Sequence, residues 1–170
     1  MKPFVVFALI ALASSAQDPS QSALPANLRA PSNRQLMFRA HAVGDQIYTC
    51  KASEGAYAWA LKAPDAQLFD SDGQSLGHHF AGPTWESKDG SRVIGKLAAS
   101  AASPDPDSIP WLLLAAIRHD GNGAMSQILS IQRLNTKGGK APAAGCDNSH
   151  IDAETKVPYQ ADYYFYGPVK

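Results

Sequence analysis

The chain has 170 residues, of which 45% are hydrophobic and 18% charged, and its fifteen basic residues balance fifteen acidic ones. This composition is typical of one globular domain and excludes a disordered or fibrous chain. The balanced charge gives no field that would steer the protein toward nucleic acid or an anionic membrane, so neither is an expected partner.

The first residues have the pattern of a secretory signal peptide. Lys2 gives a positive start, residues 3–13 form a compact apolar run, and residues 14–16 are small, as a signal peptidase requires. The run is too short to be a permanent helix across a bilayer core of about 30 Å. We therefore predict that residues 1–16 are a signal peptide cleaved after Ala16. The mature chain is predicted to have no membrane span and to be secreted or periplasmic.

The next segment, residues 17–34, is rich in Ser, Pro, Gln and Ala and has neither helical nor strand periodicity. It is predicted to be a flexible leader. A single ordered domain is then predicted over residues 35–170.

The ordered domain is a series of short apolar runs separated by turn residues. Asp-Gly pairs occur at residues 72–73, 89–90 and 120–121, and Gly44-Asp45 is also interpreted as a turn, since glycine reaches positive φ without steric cost. Pro64 is interpreted as an interruption. The predicted strands cover residues 36–43, 46–51, 57–62, 67–69, 92–100, 111–117, 127–135 and 159–166.

Two of these runs carry most of the information about the fold. Residues 111–117 are apolar at successive positions, which indicates a strand covered on both faces, with a short helix as the competing interpretation. Residues 159–166 alternate, so that Tyr163 and Phe165 share one face while Tyr164 and Tyr166 share the other. No run of ten or more residues has helical periodicity and caps. The sequence predicts an all-β domain with long loops, either an antiparallel β-sandwich or a β-barrel.

Cys50 and Cys146 are the two cysteines of the chain. An exported protein meets an oxidising compartment, so we predict that they form one disulfide. Two cysteines are too few for a structural zinc site.

Many short motifs in order resemble the secreted family catalogued as domain of unknown function 3455. The resemblance covers roughly residues 45–166 and implies no particular activity or catalytic residue. Its elements are Gly44-x-Gln46-x-Tyr48-x-Cys50, Gly77-x-His79-x-x-Gly82-Pro83-Thr84-Trp85, Asp89-Gly90-Ser91-x-Val93, Ile109-Pro110-Trp111, Ile131-Gln132-Arg133-x-Asn135-Thr136-x-Gly138-Gly139 and Val157-Pro158-Tyr159-x-Ala161-x-Tyr163.

The adjacent pair His78-His79 invites a metal interpretation. On a strand, neighbouring side chains point to opposite faces, so the pair cannot bind one ion together. The other histidines, His41, His119 and His150, lie in separate segments. No metal site is predicted, and a histidine in a buried hydrogen bond or on the surface is the expected outcome.

Trp85 and Glu86, next to Gly82-Pro83, are the leading ligand-binding candidates, together with His79. A tryptophan there would form a stacking platform for a carbohydrate or a small aromatic ligand, and Glu86 would accept hydrogen bonds or act as an acid or base. A glycosidase needs a second carboxylate at a fixed distance, and the sequence does not identify one. The competing interpretation is a core tryptophan beside a solvated glutamate.

Arg133, Asn135 and Tyr164 are further candidates. Arg133 and Asn135 are two positions apart and are predicted to share a face that would grip an anion or carboxylate. The favoured alternative pairs Arg133 with Asp162 or Glu86. Tyr164 would extend a ligand groove from Trp85, although such tyrosine rows are also common in cross-strand packing.

These observations predict an exported ligand-binding or cell-envelope-associated module rather than an enzyme. The alternatives are an extracellular hydrolase acting on carbohydrate through Glu86 or His79, and a structural surface protein without a pocket. No nucleotide-binding turn, phosphate loop or serine-nucleophile motif occurs in the sequence, so no cofactor is predicted.

Overall fold

The computed structural model describes residues 20–53 and 55–169. The predicted signal peptide and the first residues of the predicted leader, 17–19, lie outside the described residues. The described part forms eight β-strands and three short 3₁₀ turns: β1 Arg34–Ser53, β2 Ala56–Phe69, β3 Ser75–Phe80, β4 Thr84–Ser87, β5 Arg92–Ala101, β6 Trp111–Asp120, β7 Ser130–Gly138 and β8 Glu154–Pro168, with 3₁₀ turns at Gln21–Ala23, Ala26–Leu28 and Asn148–His150. Among these residues, no helix combines the length and apolar character needed to cross a bilayer.

Each strand pairs antiparallel with the next strand along the chain, and β8 pairs antiparallel with β1, so the sheet closes into a barrel. The all-β prediction is confirmed, and of the two predicted architectures the protein adopts the barrel. Closure satisfies the backbone groups of the strands that would otherwise lie at the sheet edges. Along each strand, alternate side chains point into the barrel and away from it.

Strand β1 continues through a predicted turn. Gly44 and Asp45 do not end a strand; Gly44 pairs with Ala66 on one side and Tyr159 on the other. A Cβ at Gly44 would lie 2.1 Å from the carbonyl oxygen of Asp65. The turn prediction is therefore wrong, because glycine occupies this position to let two strands approach closely.

Pro64 also lies inside a strand, β2, rather than interrupting it. It pairs with Gln46 of β1, next to a β-bulge between Ile47 and Tyr48. The pairing of β2 with β3 extends only to Ala66, so the missing N–H of Pro64 leaves no bond unmade on that side.

Strand β6 is covered on both faces only in its first half. Leu112 and Leu114 pack with the interior of the barrel, while Trp111 and Leu113 pack outward against the N-terminal segment. Ile117, further along the strand, is 60% exposed. The predicted strand is confirmed, but the prediction of cover on each side is wrong for its second half.

The apolar residues form two clusters separated by the sheet. The interior cluster fills the barrel and includes Trp85, Tyr163 and Phe165, so the predicted alternation of β8 is confirmed. The outer cluster forms where the N-terminal segment, residues 20–33 with its two 3₁₀ turns, lies over strands β5 to β8. Leu28 is completely buried there, and Gln132 of β7 donates a hydrogen bond of 2.7 Å to its carbonyl oxygen.

A disulfide joins Cys50 of β1 to Cys146, 96 residues later, and confirms the predicted pairing. It holds the loop between β7 and β8 against the hairpin formed by β1 and β2. The Trp59 indole donates to the Ala144 carbonyl oxygen at 2.9 Å in the same contact.

Candidate functional site

One end of the barrel interior opens into a cavity of about 270 Å³, here called the mouth cavity. All eight strands contribute to its lining, which is the geometry in which a small barrel holds one small ligand. Leu61 and Leu97 stand at its rim and are 58% and 56% exposed. The lining residues are Gln46, Leu61, Lys62, Ala63, Pro64, His79, Gly82, Pro83, Trp85, Leu97, Leu112, Leu114, Arg133 and Tyr163.

Three aromatic rings line the inner wall of the mouth cavity. The His79 ring stacks on the Trp85 indole, with centroids 4.4 Å apart and an interplanar angle of 7°. The Tyr163 ring meets both edge-on, at 5.1 Å from His79 and 5.4 Å from Trp85. Gly95 of β5 gives the indole its space, since a Cβ there would lie 3.0 Å from Trp85 Cζ3. Strands β3, β4 and β8 therefore hold the three rings in one arrangement across the barrel interior.

His79 is neutral at physiological pH. The residue is 2% exposed, and its burial lowers the pKa of the imidazole from 6.5 to about 3, opposed in part by the hydrogen bond to the Thr84 carbonyl. Nδ1 lies 2.9 Å from that carbonyl oxygen, which only accepts, so Nδ1 carries the proton. Nε2 is therefore unprotonated and is the remaining polar atom of the ring.

Three residues of the lining each have a buried polar atom without a hydrogen-bond partner among residues 20–53 and 55–169. These atoms are Gln46 Nε2, Trp85 Nε1 and Tyr163 Oη, and Tyr159 Oη, whose residue is outside the lining, shares this condition. Each such group costs about 1–3 kcal/mol of desolvation, and native proteins contain few of them. A molecule bound in the mouth cavity would therefore lie against three side chains whose polar atoms have no hydrogen-bond partner in the described residues.

The Tyr163 hydroxyl interacts with the Tyr159 hydroxyl and with the Arg133 guanidinium, although neither contact has the distance and angle of an ordinary hydrogen bond. Burial raises the pKa of both Tyr159 and Tyr163, and the positive charge of Arg133 opposes the rise in each case. Both hydroxyls are therefore protonated at physiological pH and able to donate.

Arg133 brings a positive charge to the mouth cavity. Its Nε and Nη2 donate to the Pro110 carbonyl oxygen at 3.2 and 2.9 Å, and no carboxylate of the described chain pairs with it. Lys62, the other cation of the lining, is paired with Glu154. Since the lining contains no aspartate or glutamate, the charge of Arg133 is uncompensated in the described part of the protein.

The structure brings together three of the six predicted ligand-binding residues and separates the others. His79, Trp85 and Arg133 line the mouth cavity, whereas Glu86, Asn135 and Tyr164 do not. The predicted link between Trp85 and Glu86 is therefore absent.

Each of the three separated residues points to the outer surface of the barrel. Glu86 follows Trp85 on a strand and pairs with Arg92. Asn135 has a φ of 50°, next to a β-bulge, and donates to Asp162 at 2.9 Å, so it does not share a face with Arg133. Tyr164 lies in the outer cluster under the N-terminal segment.

The predicted partners of Arg133 are also different. Glu86 pairs with Arg92, and Asp162 accepts from His41 and Asn135. The prediction that Arg133 pairs with either acid is wrong, because both carboxylates lie on the outside of the barrel while Arg133 reaches the mouth cavity.

Tyr163 and Gln46 also line the mouth cavity, although neither is among the predicted ligand-binding residues. A signal for Tyr163 is present, because within residues 159–166 its face is entirely apolar or aromatic while the opposite face contains Gln160 and Asp162. The apolar face must be the interior one. Gln46 has no comparable signal, since a single glutamine among strand residues does not reveal that its amide is buried.

The two adjacent histidines separate as predicted. His78 points outward and its Nε2 lies 2.8 Å from Asp65 Oδ1, whereas His79 is inside the barrel. In the part of the chain that the structure describes, no three side chains of His, Cys, Asp or Glu gather in a way that would hold a metal ion.

The model of one protein family, described as "Protein of unknown function (DUF3455)", matches residues 31–167. This range contains the complete lining of the mouth cavity. Neither the curated proteins nor the solved structures provide a match to the chain.

Proposed function

The chain belongs to the DUF3455 family of proteins of unknown function, and we propose that it is an exported binding protein that takes one small molecule into the mouth cavity. The proposal rests on the residues of that cavity, since the family description assigns no activity.

The observation that carries this proposal is a set of unpartnered buried polar atoms beside an open space. Gln46 Nε2, Trp85 Nε1 and Tyr163 Oη belong to residues that are at most 2% exposed, and all three residues line the cavity. Binding sites are typically apolar hollows with a few such groups. A cavity of 150 Å³ holds benzene, so about 270 Å³ accommodates a larger compact molecule.

An enclosed small molecule is favoured over a carbohydrate chain. Trp85 is 1% exposed and one face of its indole is covered by His79, so it offers no open platform for a sugar ring. The rim is formed by leucines, which suits an apolar ligand. Glycoside hydrolysis through Glu86 is not favoured, because the cavity lining contains no carboxylate and Glu86 pairs with Arg92 outside it.

Export is supported by two features of the chain. Residues 1–16 have the pattern of a signal peptide. The Cys50–Cys146 disulfide is typical of proteins that work in an oxidising compartment. In this proposal, the protein binds its ligand in the periplasm or outside the cell.

Thermal unfolding in the presence of small aromatic probes tests the proposal. We expect about 1 mM of hydrocinnamate, its amide or its alcohol to raise the melting temperature, because a ligand that binds only the folded state stabilises it. Leu112→Trp fills the cavity and should abolish the response. Ile117→Trp adds the same side chain to the exposed face of the same strand and should retain it.

Two results would contradict the proposal. One is that none of the three probes stabilises the wild-type protein. The other is that Leu112→Trp, folded by near-ultraviolet circular dichroism, responds as strongly as Ile117→Trp. Leu114→Phe provides a smaller obstruction of the same cavity if Leu112→Trp fails to fold.

A further inference from the structure

We infer that the ligand of the mouth cavity is a small organic anion, a carboxylate on a compact apolar body. This inference rests on the proposed function and specifies the chemical class of the molecule that the cavity takes.

The charge balance of the cavity favours an anion. Arg133 is not paired with any carboxylate of the described residues, and the cavity lining has no acidic side chain. Lys62 is already paired with Glu154. A bound anion would supply the missing negative charge in a partly buried setting, where charge-assisted hydrogen bonds are strong.

The unpartnered polar atoms require a ligand that accepts hydrogen bonds. Trp85 Nε1 and Gln46 Nε2 only donate, and the protonated hydroxyl of Tyr163 is able to donate as well. A carboxylate has two oxygens with about four acceptor positions, whereas a neutral alcohol has one oxygen. The donors and the Arg133 charge therefore select the same kind of head group.

The rest of the lining selects an apolar body. Leu97, Leu112 and Leu114 form one wall of the cavity, and Pro64 and Pro83 contribute to the other. None of these side chains has a polar group that would hydrogen-bond a sugar or an extended polar chain. An anion such as phosphate would leave this surface uncovered, so a carboxylate with an attached ring or branched chain fits better.

Isothermal titration with a matched pair of probes tests the inference. Hydrocinnamate and hydrocinnamamide share the same phenyl chain and differ in the charge of the head group. Because hydrogen bonds to a charged group are stronger than those to a neutral group, and Arg133 adds a direct charge interaction, we expect wild-type protein to bind the carboxylate about 10- to 100-fold more tightly than the amide.

Variants of arginine identify the group that makes this distinction. Arg133→Met should reduce the carboxylate-to-amide affinity ratio to near one, and Arg133→Lys should preserve part of it because the charge remains. Arg118→Met is the matched control, since Arg118 is an exposed arginine paired with Asp120 and lies outside the cavity. Its ratio should equal the wild-type value.

The outcomes separate this inference from the proposed function. Equal affinity for carboxylate and amide, or a ratio unchanged in Arg133→Met, would overturn the anion inference and leave a binding cavity for a neutral ligand. Absence of binding by both probes, and by the corresponding alcohol, would overturn the proposed function itself. If Arg133→Met does not fold because the Pro110 contact is lost, Arg133→Lys and the wild-type ratio still decide the question.

Discussion

Replacing His79 with asparagine should remove much of the acid sensitivity of the protein. Burial lowers the pKa of His79 from 6.5 to about 3 in the folded state, whereas the unfolded chain keeps the ordinary value. Between these two values the unfolded state binds one more proton than the folded state. The contribution of His79 to stability is therefore complete above about pH 6.5 and is lost as the pH falls toward about 3.

The size of this effect follows from the two pKa values. Complete titration between 6.5 and about 3 corresponds to roughly 5 kcal/mol, and about half of it, roughly 2.5 kcal/mol, is reached at about pH 4.5. Between about pH 7 and about pH 4.5, the two aspartates whose pKa is lowered to about 2 contribute little to the change in stability. Hydrogen bonds from Ser91 and Ser149 hold the pKa of Asp89 and Asp147 at about 2, and in the unfolded chain these carboxyls titrate near 3.8.

The assay is equilibrium unfolding by guanidinium chloride, followed by tryptophan fluorescence at both pH values. His79→Asn keeps an amide N–H that reaches the Thr84 carbonyl, so the variant loses the titrating ring but not that donor. On going from about pH 7 to about pH 4.5, we expect its free energy of unfolding to fall by about 2.5 kcal/mol less than that of the wild type. His78→Asn, at the next position on the outer face, is the matched control and should fall as the wild type does.

An equal loss of free energy of unfolding between the two pH values in the wild type and in His79→Asn would contradict the lowered pKa of His79. That result would mean that the folded-state imidazole titrates near its ordinary pKa and that the ring is accessible to water. Absolute stabilities do not decide the matter, because replacing the ring also removes its stacking on Trp85.

Three further predictions concern stability, measured by urea unfolding. Leu28→Ala should lower the free energy of unfolding by about 2–5 kcal/mol because the side chain is completely buried. Leu61→Ala is the control: its position is 58% exposed, so the free energy of unfolding should change by less than about 0.5 kcal/mol. Equal effects of the two substitutions would contradict the packing of the N-terminal segment. Gly95→Ala should cost about 1–3 kcal/mol, since its methyl group would lie 3.0 Å from the indole in the cavity wall, and a neutral result would show that the wall yields easily. Replacing Cys50 and Cys146 together with serine should cost up to about 4–5 kcal/mol for a loop of this length, and alkylation of the wild type without reduction should leave its intact mass unchanged.

The fold class followed from local patterns that a barrel shares with a sandwich. The alternation of Tyr163 with Tyr164 and the Asp-Gly pair at residues 89–90 report on one strand or one turn, and these predictions are confirmed. Closure depends instead on register and bulges across distant strands, such as the bulge between Ile47 and Tyr48. Such features leave no periodic signal in the sequence.

The lining of the mouth cavity is predictable from the sequence only for residues whose strand alternation places their side chains inside the barrel. His79 and Trp85, which the sequence assigns to one ligand face, pair directly across β3 and β4, two short strands that the sequence did not predict. Glu86 was separated from them by the same alternation, because it is the next residue on the strand. For Asn135, a β-bulge and a positive φ change the direction of the chain just after Arg133. The burial of Leu24 and Leu28 was not predicted, because a segment without periodicity gives no sign of the surface that it covers. The flexibility of the leader, residues 17–34, remains a prediction.

The central claim is that a small ligand occupies the mouth cavity and meets the Trp85 indole. The chain has three tryptophans, so its nitrogen–proton correlation spectrum should contain three indole signals, and Trp85→Phe assigns the one that matters. Titration with hydrocinnamate should change the chemical shift of the Trp85 indole signal strongly, because its unpartnered N–H gains an acceptor. The signals of Trp59 and Trp111 should not shift, since these residues do not line the cavity. An unmoved Trp85 signal at saturating probe, or movement confined to the other two tryptophans, would contradict the claim.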